Sequence, residues 1–163
     1  MKTLLILRHA KSSWENAQLT DYERPLNKRG KRDAPRMGKL LREQDLVPDL
    51  IITSSAERAL STAEAVALAS GYEQEIRATR SFYHADPAAY IDALRQLDDS
   101  LERVMVVGHN PGMEELVEEL TGFWEVMSTA ALAQVSLPVN HWHDLDEDVT
   151  GELVNLWEPK KLG

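Results

Sequence analysis

The chain contains no cysteine and has fewer basic than acidic residues, and these two shortages exclude several classes of protein. Without cysteine it can form no disulfide, no zinc–thiolate centre and no thiol nucleophile. Its 18 Lys and Arg residues face 27 Asp and Glu residues, so the formal net charge is −9. A nucleic-acid backbone requires a basic face on its partner, and this balance therefore argues against a nucleic-acid partner.

Long apolar segments are also missing from the sequence. No apolar run is long enough to cross a bilayer, and Met1 and Lys2 lead directly into an apolar strand without the layout of a signal peptide. We therefore expect a cytoplasmic protein with no membrane partner. The chain has 163 residues, of which 43% are hydrophobic, and we expect residues 1–163 to form a single domain around a substantial core.

Short apolar segments that alternate with helical patterns indicate an α/β fold. Apolar segments without polar alternation are typical of strands that are covered on both faces, and repeated strand–helix units predict a mostly parallel sheet. The predicted strands are residues 3–7, 50–53 and 103–107, with two further strands at 132–137 and 153–157 and a short one at 75–77. The predicted helices are residues 27–44, 56–69 and 111–120, with another helix that begins at Pro87.

The ends of the first three strands carry the residues of greatest chemical interest. Arg8 and His9 follow the first strand, Arg58 lies in the first turn of the helix after the second, and His109 follows the third. Open α/β sheets bind their ligands at the carboxyl ends of their strands. Guanidinium groups match phosphate oxygens geometrically, and phosphoryl transfer depends mainly on positioning and charge neutralisation. We therefore predict a phosphate site in which His9 is the nucleophile; a plain ion pair of Arg58 with Glu57 or Glu64 is the alternative for that arginine.

The connections between these elements add further candidates. Residues 9–26 form a long polar loop that contains Arg24, and loops of that length in compact domains are usually functional. Asn27 is expected to cap the helix that follows, and Pro35 lies inside that helix. Asn110 is expected to cap the helix that begins at Pro111.

One pair of histidines suggests a metal site. His141, His143 and Asp144 lie between the last two predicted strands. Because no strand or helix spacing orients these side chains, and because short tracts of this kind match by chance, we predict a surface loop or a short helix instead of a metal centre.

Several of these motifs resemble those of a known family. Arg8-His9-Ala10 resembles the Arg-His-Gly signature of the histidine phosphatase superfamily, with alanine in the usual glycine position. Residues 54–63 are similar to that superfamily's Ser-x-x-x-Arg-Ala-x-x-Thr-Ala segment, and Gly108-His109 is similar to its second histidine motif. The longer matches to the SixA-type phosphohistidine phosphatases run in order along the whole chain, at residues 7–14, 24–26, 30, 108–112 and 159–160.

The resemblance implies a fold, a mechanism and a set of site residues. It implies a three-layer sandwich of the phosphoglycerate mutase type, with helices on both faces of a mostly parallel sheet. It also implies a ping-pong hydrolysis that needs no cofactor and no metal: His9 takes the phosphoryl group and water then cleaves the phosphohistidine. His109 joins His9 as a catalytic residue, and the implied phosphate ligands are Arg8, Arg24, Arg58, His109 and Asn110.

A general acid is the part of the mechanism that the sequence does not identify. Many relatives place a glutamate in the loop that corresponds to about residues 82–86, where this chain has His84; Glu114, Asp21 and Asp86 are the other candidates. Expulsion of an alkoxide needs a proton donor, whereas phosphohistidine loses an imidazole, which is a better leaving group once its ring is protonated. A weak acid site therefore favours P–N over P–O substrates.

Three functions are compatible with these residues. The first is hydrolysis of phosphohistidine on a protein such as a histidine-containing phosphotransfer domain. The alternatives are a broad-range phosphomonoesterase for small phosphorylated metabolites and a non-catalytic module that binds phosphate or phosphoproteins. A metal hydrolase built on His84, His141 and His143 fits least. Because little sequence is available for a large insertion over the pocket, we expect a shallow, open site, and nothing in the sequence demands an oligomer, so we expect a monomer.

Overall fold

The structure, a computed structural model that describes residues 1–162, has a six-stranded mixed sheet with helices on both faces. The strands are β1 (Lys2–Arg8), β2 (Leu50–Ser54), β3 (Ile76–Thr79), β4 (Arg103–Gly108), β5 (Leu132–Leu137) and β6 (Glu152–Trp157). The helices are α1 (Lys28–Glu43), α2 (Glu57–Ser70), α3 (Pro87–Arg95) and α4 (Gly112–Thr121). The predicted α/β class is confirmed, and the predicted strands and helices agree with these bounds to within a few residues.

The sheet order places the predicted site residues on adjacent strands. The order is β3-β2-β4-β1-β5-β6. Strands β3, β2, β4 and β1 are parallel, whereas β5 is antiparallel to β1 and β6 is antiparallel to β5. Because β4 lies between β1 and β2, the carboxyl ends of these three strands meet at one edge of the sheet.

Strand β1 contributes to two separate cores. Leu5 and Leu7 pack on the face covered by α1 and α2, while Leu4 and Ile6 pack on the face covered by α3 and α4. All four side chains are fully buried. Burial of each aliphatic side chain contributes about 2 kcal/mol, so this short strand anchors both layers. Arg8 is the last residue of this strand and His9 follows it directly, so the strand holds both residues in position.

Local capping explains where two of the helices begin and end. The Asn27 side chain accepts a hydrogen bond from the Gly30 amide at 2.9 Å, as predicted for the cap of α1, and the helix continues through Pro35 without interruption. Gly71 ends α2 in the left-handed conformation, with φ 81°. This conformation carries little cost for a residue without a Cβ atom.

The predicted cap of α4 is wrong. Helix α4 begins at Gly112 and is preceded by Pro111, and the Asn110 side chain makes no capping hydrogen bond. Its amide instead donates to the Met127 carbonyl oxygen at 2.9 Å. This contact directs the side chain toward the segment between α4 and β5, and Oδ1, the atom that would accept in a cap, has no donor among residues 1–162.

None of the α-helices in residues 1–162 combines the length and the apolar composition needed to cross a bilayer.

Candidate active site

The carboxyl ends of β1, β2 and β4 bring the predicted histidines and arginines together. The His9 amide donates to the Gly108 carbonyl oxygen at 3.0 Å, which ties the end of β1 to the end of β4. The ring centroids of His9 and His109 are 5.0 Å apart. Arg58, in the first turn of α2, completes the group from the end of β2. The predicted juxtaposition of the three strand ends is therefore present in the folded chain.

The ring of His9 presents one free nitrogen. Its Nδ1 atom is 2.7 Å from the Ala10 carbonyl oxygen. Since a carbonyl only accepts, Nδ1 carries the proton and Nε2 keeps its lone pair. Burial lowers the pKa of His9 to about 4; the Ala10 carbonyl opposes this shift, and the positive charges of Arg58, Arg8 and Arg24 add to it. His9 is therefore neutral near pH 7, with Nε2 available as a nucleophile.

The hydrogen-bond network assigns the tautomer of His109. Its Nε2 atom is 2.8 Å from the Ser54 hydroxyl oxygen, which also accepts a hydrogen bond from the Ala56 amide at 3.2 Å. The hydroxyl proton has no other acceptor among residues 1–162, so we assign its donation to Nε2, which leaves a proton on Nδ1. Burial, followed by the charges on His9 and Arg58, lowers the pKa of His109 to about 3. His109 is thus a neutral hydrogen-bond donor beside His9.

Arg58 pairs with a residue that the sequence did not connect to it. Its Nη1 and Nη2 atoms donate to the carbonyl oxygen of Asp21 at 2.6 Å and to Asp21 Oδ2 at 3.0 Å. The alternative partners are wrong: Glu57 accepts from Ser61, and Glu64 makes no ion pair among residues 1–162. The long loop folds back over the first turn of α2, a contact that helical spacing cannot reveal.

The Asp21 carboxylate accepts hydrogen bonds from two arginines and one tyrosine. Tyr83 donates to Oδ2 at 2.6 Å and Arg24 donates to Oδ1 at 3.2 Å, in addition to the Arg58 pair. Partial burial acts to raise the pKa of Asp21, but the hydrogen bonds from Tyr83 and Arg58 and the charge of Arg58 outweigh it and hold the pKa well below its usual range. Asp21 is consequently ionised at neutral pH and cannot serve as a proton donor there.

Arg24 is held from three sides. Its Nη1 atom donates to the Ser12 hydroxyl oxygen at 2.8 Å, and its guanidinium lies 3.5 Å from the centroid of the Trp14 ring. With its bond to Asp21, these contacts leave the residue only 8% exposed. A guanidinium fixed in this way keeps its direction when an anion approaches, because little rotamer freedom remains to be lost.

Arg8 and Asn110 converge on a different backbone group. Arg8 Nη1 and Asn110 Nδ2 donate to the Met127 carbonyl oxygen at 3.0 Å and 2.9 Å. Glu114 accepts from the Met127 amide at 2.8 Å. Burial lowers the pKa of Arg8 while the nearby Glu114 charge opposes that shift. The segment before β5 therefore orients both predicted phosphate ligands, a role that had no signal in the sequence.

The other acid candidates lie at the margin of the site. His84 adopts a left-handed conformation with φ 53°, its side chain is 66% exposed, and its Nε2 atom is 3.6 Å from Asp21 Oδ2. Its ring centroid is 6.3 Å from that of His109. Asp86 is an exposed residue that precedes α3. His84 is therefore the only one of the four acid candidates that combines exposure with proximity to the two catalytic histidine candidates.

The principal side chains of the site are largely buried. They are less than a tenth exposed, at 6% for His9, 8% for Arg24, 4% for Arg58 and 5% for His109. The loop of residues 9–26 contributes to this burial, because Asp21 contacts Arg58 in the first turn of α2. The side chains of His84 and Asp21 are 66% and 37% exposed, and the shallow, open site that the sequence suggests stays a prediction.

The alanine in the usual glycine position faces the protein interior. Ala10 is fully buried and packs in the core between the sheet and helices α1 and α2. Its amide donates to the Thr62 hydroxyl oxygen at 3.0 Å. Because the added methyl group is accommodated in that core, it stabilises the segment that carries His9.

The second histidine cluster is remote from this site. His141 Nδ1 lies 2.8 Å from Asp99 Oδ2, and the donor atoms of Asp99, His141 and His143 fall within 4.8 Å of one another on the surface. Lys2, at the start of β1, donates to the Asp99 carbonyl oxygen at 2.5 Å, which places the cluster near the amino end of the sheet. The predicted short helix is present as a single turn, Trp142–Asp144.

Comparison with known proteins identifies the family that the sequence motifs resemble. Residues 4–82 match the model of the histidine phosphatase superfamily, branch 1. A chloroplastic protein of Arabidopsis thaliana is 30% identical over 152 residues, which cover 88% of this chain and 70% of that protein. The chain therefore belongs to the histidine phosphatase superfamily.

Solved structures narrow the resemblance to one type within that superfamily. A structure of the protein histidine phosphatase SixA complexed with tungstate superposes with a TM-score of 0.85 at 24% identity and covers 99% of each chain. A candidate phosphohistidine phosphatase SixA from Agrobacterium tumefaciens superposes with a TM-score of 0.82 at 26% identity, over 97% of this chain and 98% of that one. The architecture is of the SixA type and phosphoglycerate mutase-like. Together with membership of the histidine phosphatase superfamily, it supports a phosphatase, which is a hydrolase.

Proposed function

We propose that this chain hydrolyses phosphohistidine on a protein, through a phosphohistidine formed on its own His9 and without a metal ion. The observation that carries the proposal is the state of Asp21. This carboxylate reaches the cationic centre of the site, yet its contacts with Arg58 and Tyr83 keep it ionised. A site whose central carboxylate cannot donate a proton is suited to a leaving group that does not take its proton from the enzyme.

The geometry of His9 supports its role as the nucleophile. The neutral Nε2 atom attacks phosphorus, the bond between phosphorus and the substrate imidazole breaks, and the phosphoryl group is then carried by Nε2. A water oxygen attacks phosphorus in the second step, which releases inorganic phosphate and restores His9. The hydrogen bond from Nδ1 to the Ala10 carbonyl stabilises the positive charge that the ring acquires during attack.

Unpaired donors support a role of the surrounding residues in phosphate binding. Arg8 Nε, Arg58 Nε and His109 Nδ1 are buried nitrogens without an acceptor among residues 1–162. Each unpaired buried donor costs about 1–3 kcal/mol, and phosphate oxygens are acceptors that would remove this cost. We assign phosphate binding to Arg8, Arg24, Arg58 and His109. Asn110 fits this role less directly, because its amide nitrogen is committed to Met127 and its buried Oδ1 is an acceptor.

The ionised Asp21 also favours a P–N substrate. An imidazole leaves readily when its ring is protonated, and an ionised carboxylate accepts a hydrogen bond from such a ring. An alkoxide leaving group requires the reverse, a donated proton, which Asp21 does not hold at neutral pH. The same carboxylate therefore assists a phosphohistidine and does not assist a phosphate ester.

The test is a direct comparison of two substrates. The purified chain is offered a phosphohistidine phosphotransfer domain and an alkyl phosphate side by side, with a chelator present, and His9→Ala serves as the control. We expect turnover of the phosphohistidine in preference to the ester, unchanged by the chelator and reduced at least about a thousandfold in the variant. Faster turnover of the ester, or loss of activity on chelation, would contradict the proposal.

One observation favours a small-molecule phosphomonoesterase as the second candidate. His84 is exposed and lies 3.6 Å from Asp21, so it is the residue best placed to donate a proton to an alkoxide. An esterase should lose at least about a hundredfold in turnover when His84 is changed to Gln, whereas a phosphohistidine phosphatase should lose little. Glu114→Gln serves as the comparison, since Glu114 is bonded to the Met127 amide.

A further inference from the structure

Helix α1 carries a concentration of positive charge that the proposed reaction does not use. The helix has seven basic and two acidic residues, for a formal charge of +5. Because the whole chain carries −9, the remaining residues carry −14. One helix of 16 residues is therefore strongly basic on an otherwise acidic molecule.

The distribution of these charges along α1 is unfavourable for the helix itself. Its first turn contains Lys28, Arg29 and Lys31 and no acidic residue. Cations at a helix N-terminus oppose the helix dipole, at a cost of about 0.3–1 kcal/mol for each charge. All three residues are exposed. Local stability therefore does not explain their position, and residues that break a local rule in this way are commonly functional.

Internal ion pairs neutralise only part of this charge. Asp33 is 2% exposed and lies within 3.5 Å of side-chain nitrogens of Arg29, Arg32 and Arg36. One carboxylate thus pairs with three guanidiniums, and the four side chains together keep a net charge of +2. Lys28 and Lys31 pair with no carboxylate in the part of the chain that the structure describes.

The basic end of α1 adjoins the segment that carries His9. The Asn27 amide donates to the Lys11 carbonyl oxygen at 3.0 Å, and Gly30 packs so closely on Lys11 that a Cβ atom at position 30 would overlap that carbonyl. A groove of about 580 Å³ separates this turn from the loop, lined by Ser13, Glu15, Lys28, Arg29 and Lys31 among others. Three cations and one carboxylate face it, so its net charge is positive.

We propose that the first two turns of α1 form a docking surface for the acidic face of a protein that presents the phosphohistidine. This inference rests on the proposed function and adds the kind of partner. Opposite charges at the edge of a contact accelerate association and orient the partner, and the effect weakens as salt is added. A folded protein with a local acidic patch would contact only the basic helix. A long nucleic acid would also lie against the surrounding acidic surface, which would repel it.

The test compares two double variants with the same change of charge. Lys28→Glu/Lys31→Glu reverses the end beside the site, and Lys39→Glu/Arg42→Glu reverses residues that lie roughly 16 Å further along the helix. The substrates are an acidic phosphotransfer domain phosphorylated on histidine and free phosphohistidine. We expect the first variant to raise KM for the domain about tenfold, with little change for the free amino acid, and the control variant to change either value by less than about threefold.

A binding measurement separates failure of this inference from failure of the proposed function. The affinity of the unphosphorylated domain is measured for the parent and both variants at low and at high salt. Binding that weakens about tenfold only in Lys28→Glu/Lys31→Glu, and that weakens with salt in the parent, supports the docking surface even if no turnover occurs. Equal affinity in the parent and both variants overturns it, as does a single-stranded RNA that outcompetes the domain on the parent.

Discussion

At the scale of single residues, the site is organised by two opposite effects of its environment on titratable groups. Burial among arginines keeps His9 and His109 neutral, while hydrogen bonds from Tyr83 and Arg58 keep Asp21 ionised. The proposed histidine nucleophile and the proposed phosphate ligands are therefore in the charge states that the proposed reaction needs at the same pH.

Asp21→Asn tests two roles of this carboxylate. Either it positions Arg58 and Arg24 and accepts a hydrogen bond from the leaving ring, or it donates a proton to the leaving group. We expect kcat/KM for phosphohistidine to fall about tenfold to a hundredfold, because Arg58 and Arg24 lose their shared anion. The shape of the pH–rate profile between about pH 5 and pH 8 should not change, since a group ionised throughout that range contributes no titration there. Loss of a basic limb from the profile would instead identify Asp21 as a general acid; Asp21→Glu, which keeps the charge, is the matched control.

The protonation of His9 can be observed directly. Its ring nitrogens should titrate with a pKa of about 4, well below the ordinary value of 6.5, when followed by NMR as a function of pH. The neutral ring should retain its proton on Nδ1, because that atom faces the Ala10 carbonyl. A proton on Nε2 of the neutral ring would leave no free nucleophile and would refute this part of the mechanism. A pKa near the ordinary value would contradict the effect of burial among arginines.

At the scale of secondary-structure elements, the sequence predicted the helices and strands more reliably than the contacts between loops. The three strand ends were predictable because apolar runs and their following helices are local patterns, and parallel strands must end at one edge. The bond between Asp21 and Arg58 joins residues 37 positions apart, and the bond between Arg8 and Met127 joins residues 119 positions apart. Asn110 reaches Met127 across the whole of α4. No periodicity encodes such contacts, so Asp21 and Met127 were missed in these roles.

Gly30→Ala tests the close approach of α1 to the segment after His9. In an exposed helix this change stabilises by about 1 kcal/mol, but here the new Cβ atom would overlap the Lys11 carbonyl, and we expect a loss of about 2 kcal/mol or more in the free energy of unfolding. Turnover should also fall, because the segment that carries His9 must shift.

Gly71→Ala is the matched control for that change. A Cβ atom at position 71 meets no neighbour, and only the left-handed conformation, with φ 81°, opposes it. Chemical denaturation should therefore give a loss of about 1 kcal/mol with unchanged kcat. Equal effects of the two substitutions on kcat would show that the contact between α1 and Lys11 does not position the site.

At the scale of the whole molecule, the two buried histidines couple stability to pH. Their folded-state pKa values, about 4 for His9 and about 3 for His109, lie below the ordinary value of 6.5. At pH values between the folded-state pKa and 6.5, the unfolded chain binds more protons than the folded chain. The free energy of unfolding therefore rises with pH and is lost as the pH falls below 6.5. His9 alone accounts for up to about 3 kcal/mol of that loss.

Urea denaturation at several pH values measures this coupling. The free energy of unfolding should decrease steadily from about pH 7 to about pH 4.5, and the slope should be smaller in His109→Gln, which removes one of the two groups. Asp21 acts in the same direction but only at lower pH, since its stabilising contacts are lost when the carboxylate is protonated. Stability that does not change over this range would contradict the assignment of two neutral buried histidines.

The most direct test of the account is to locate the phosphoryl group on the enzyme during turnover. The phosphorylated substrate is mixed with the chain, the reaction is stopped in alkali to preserve phosphohistidine, and the modified residue is identified by mass spectrometry and phosphorus NMR. The account predicts phosphate on Nε2 of His9, because Nδ1 is held by the Ala10 carbonyl oxygen. Phosphate on Nδ1 or on His109, or an unchanged burst of product in His9→Ala, would contradict it.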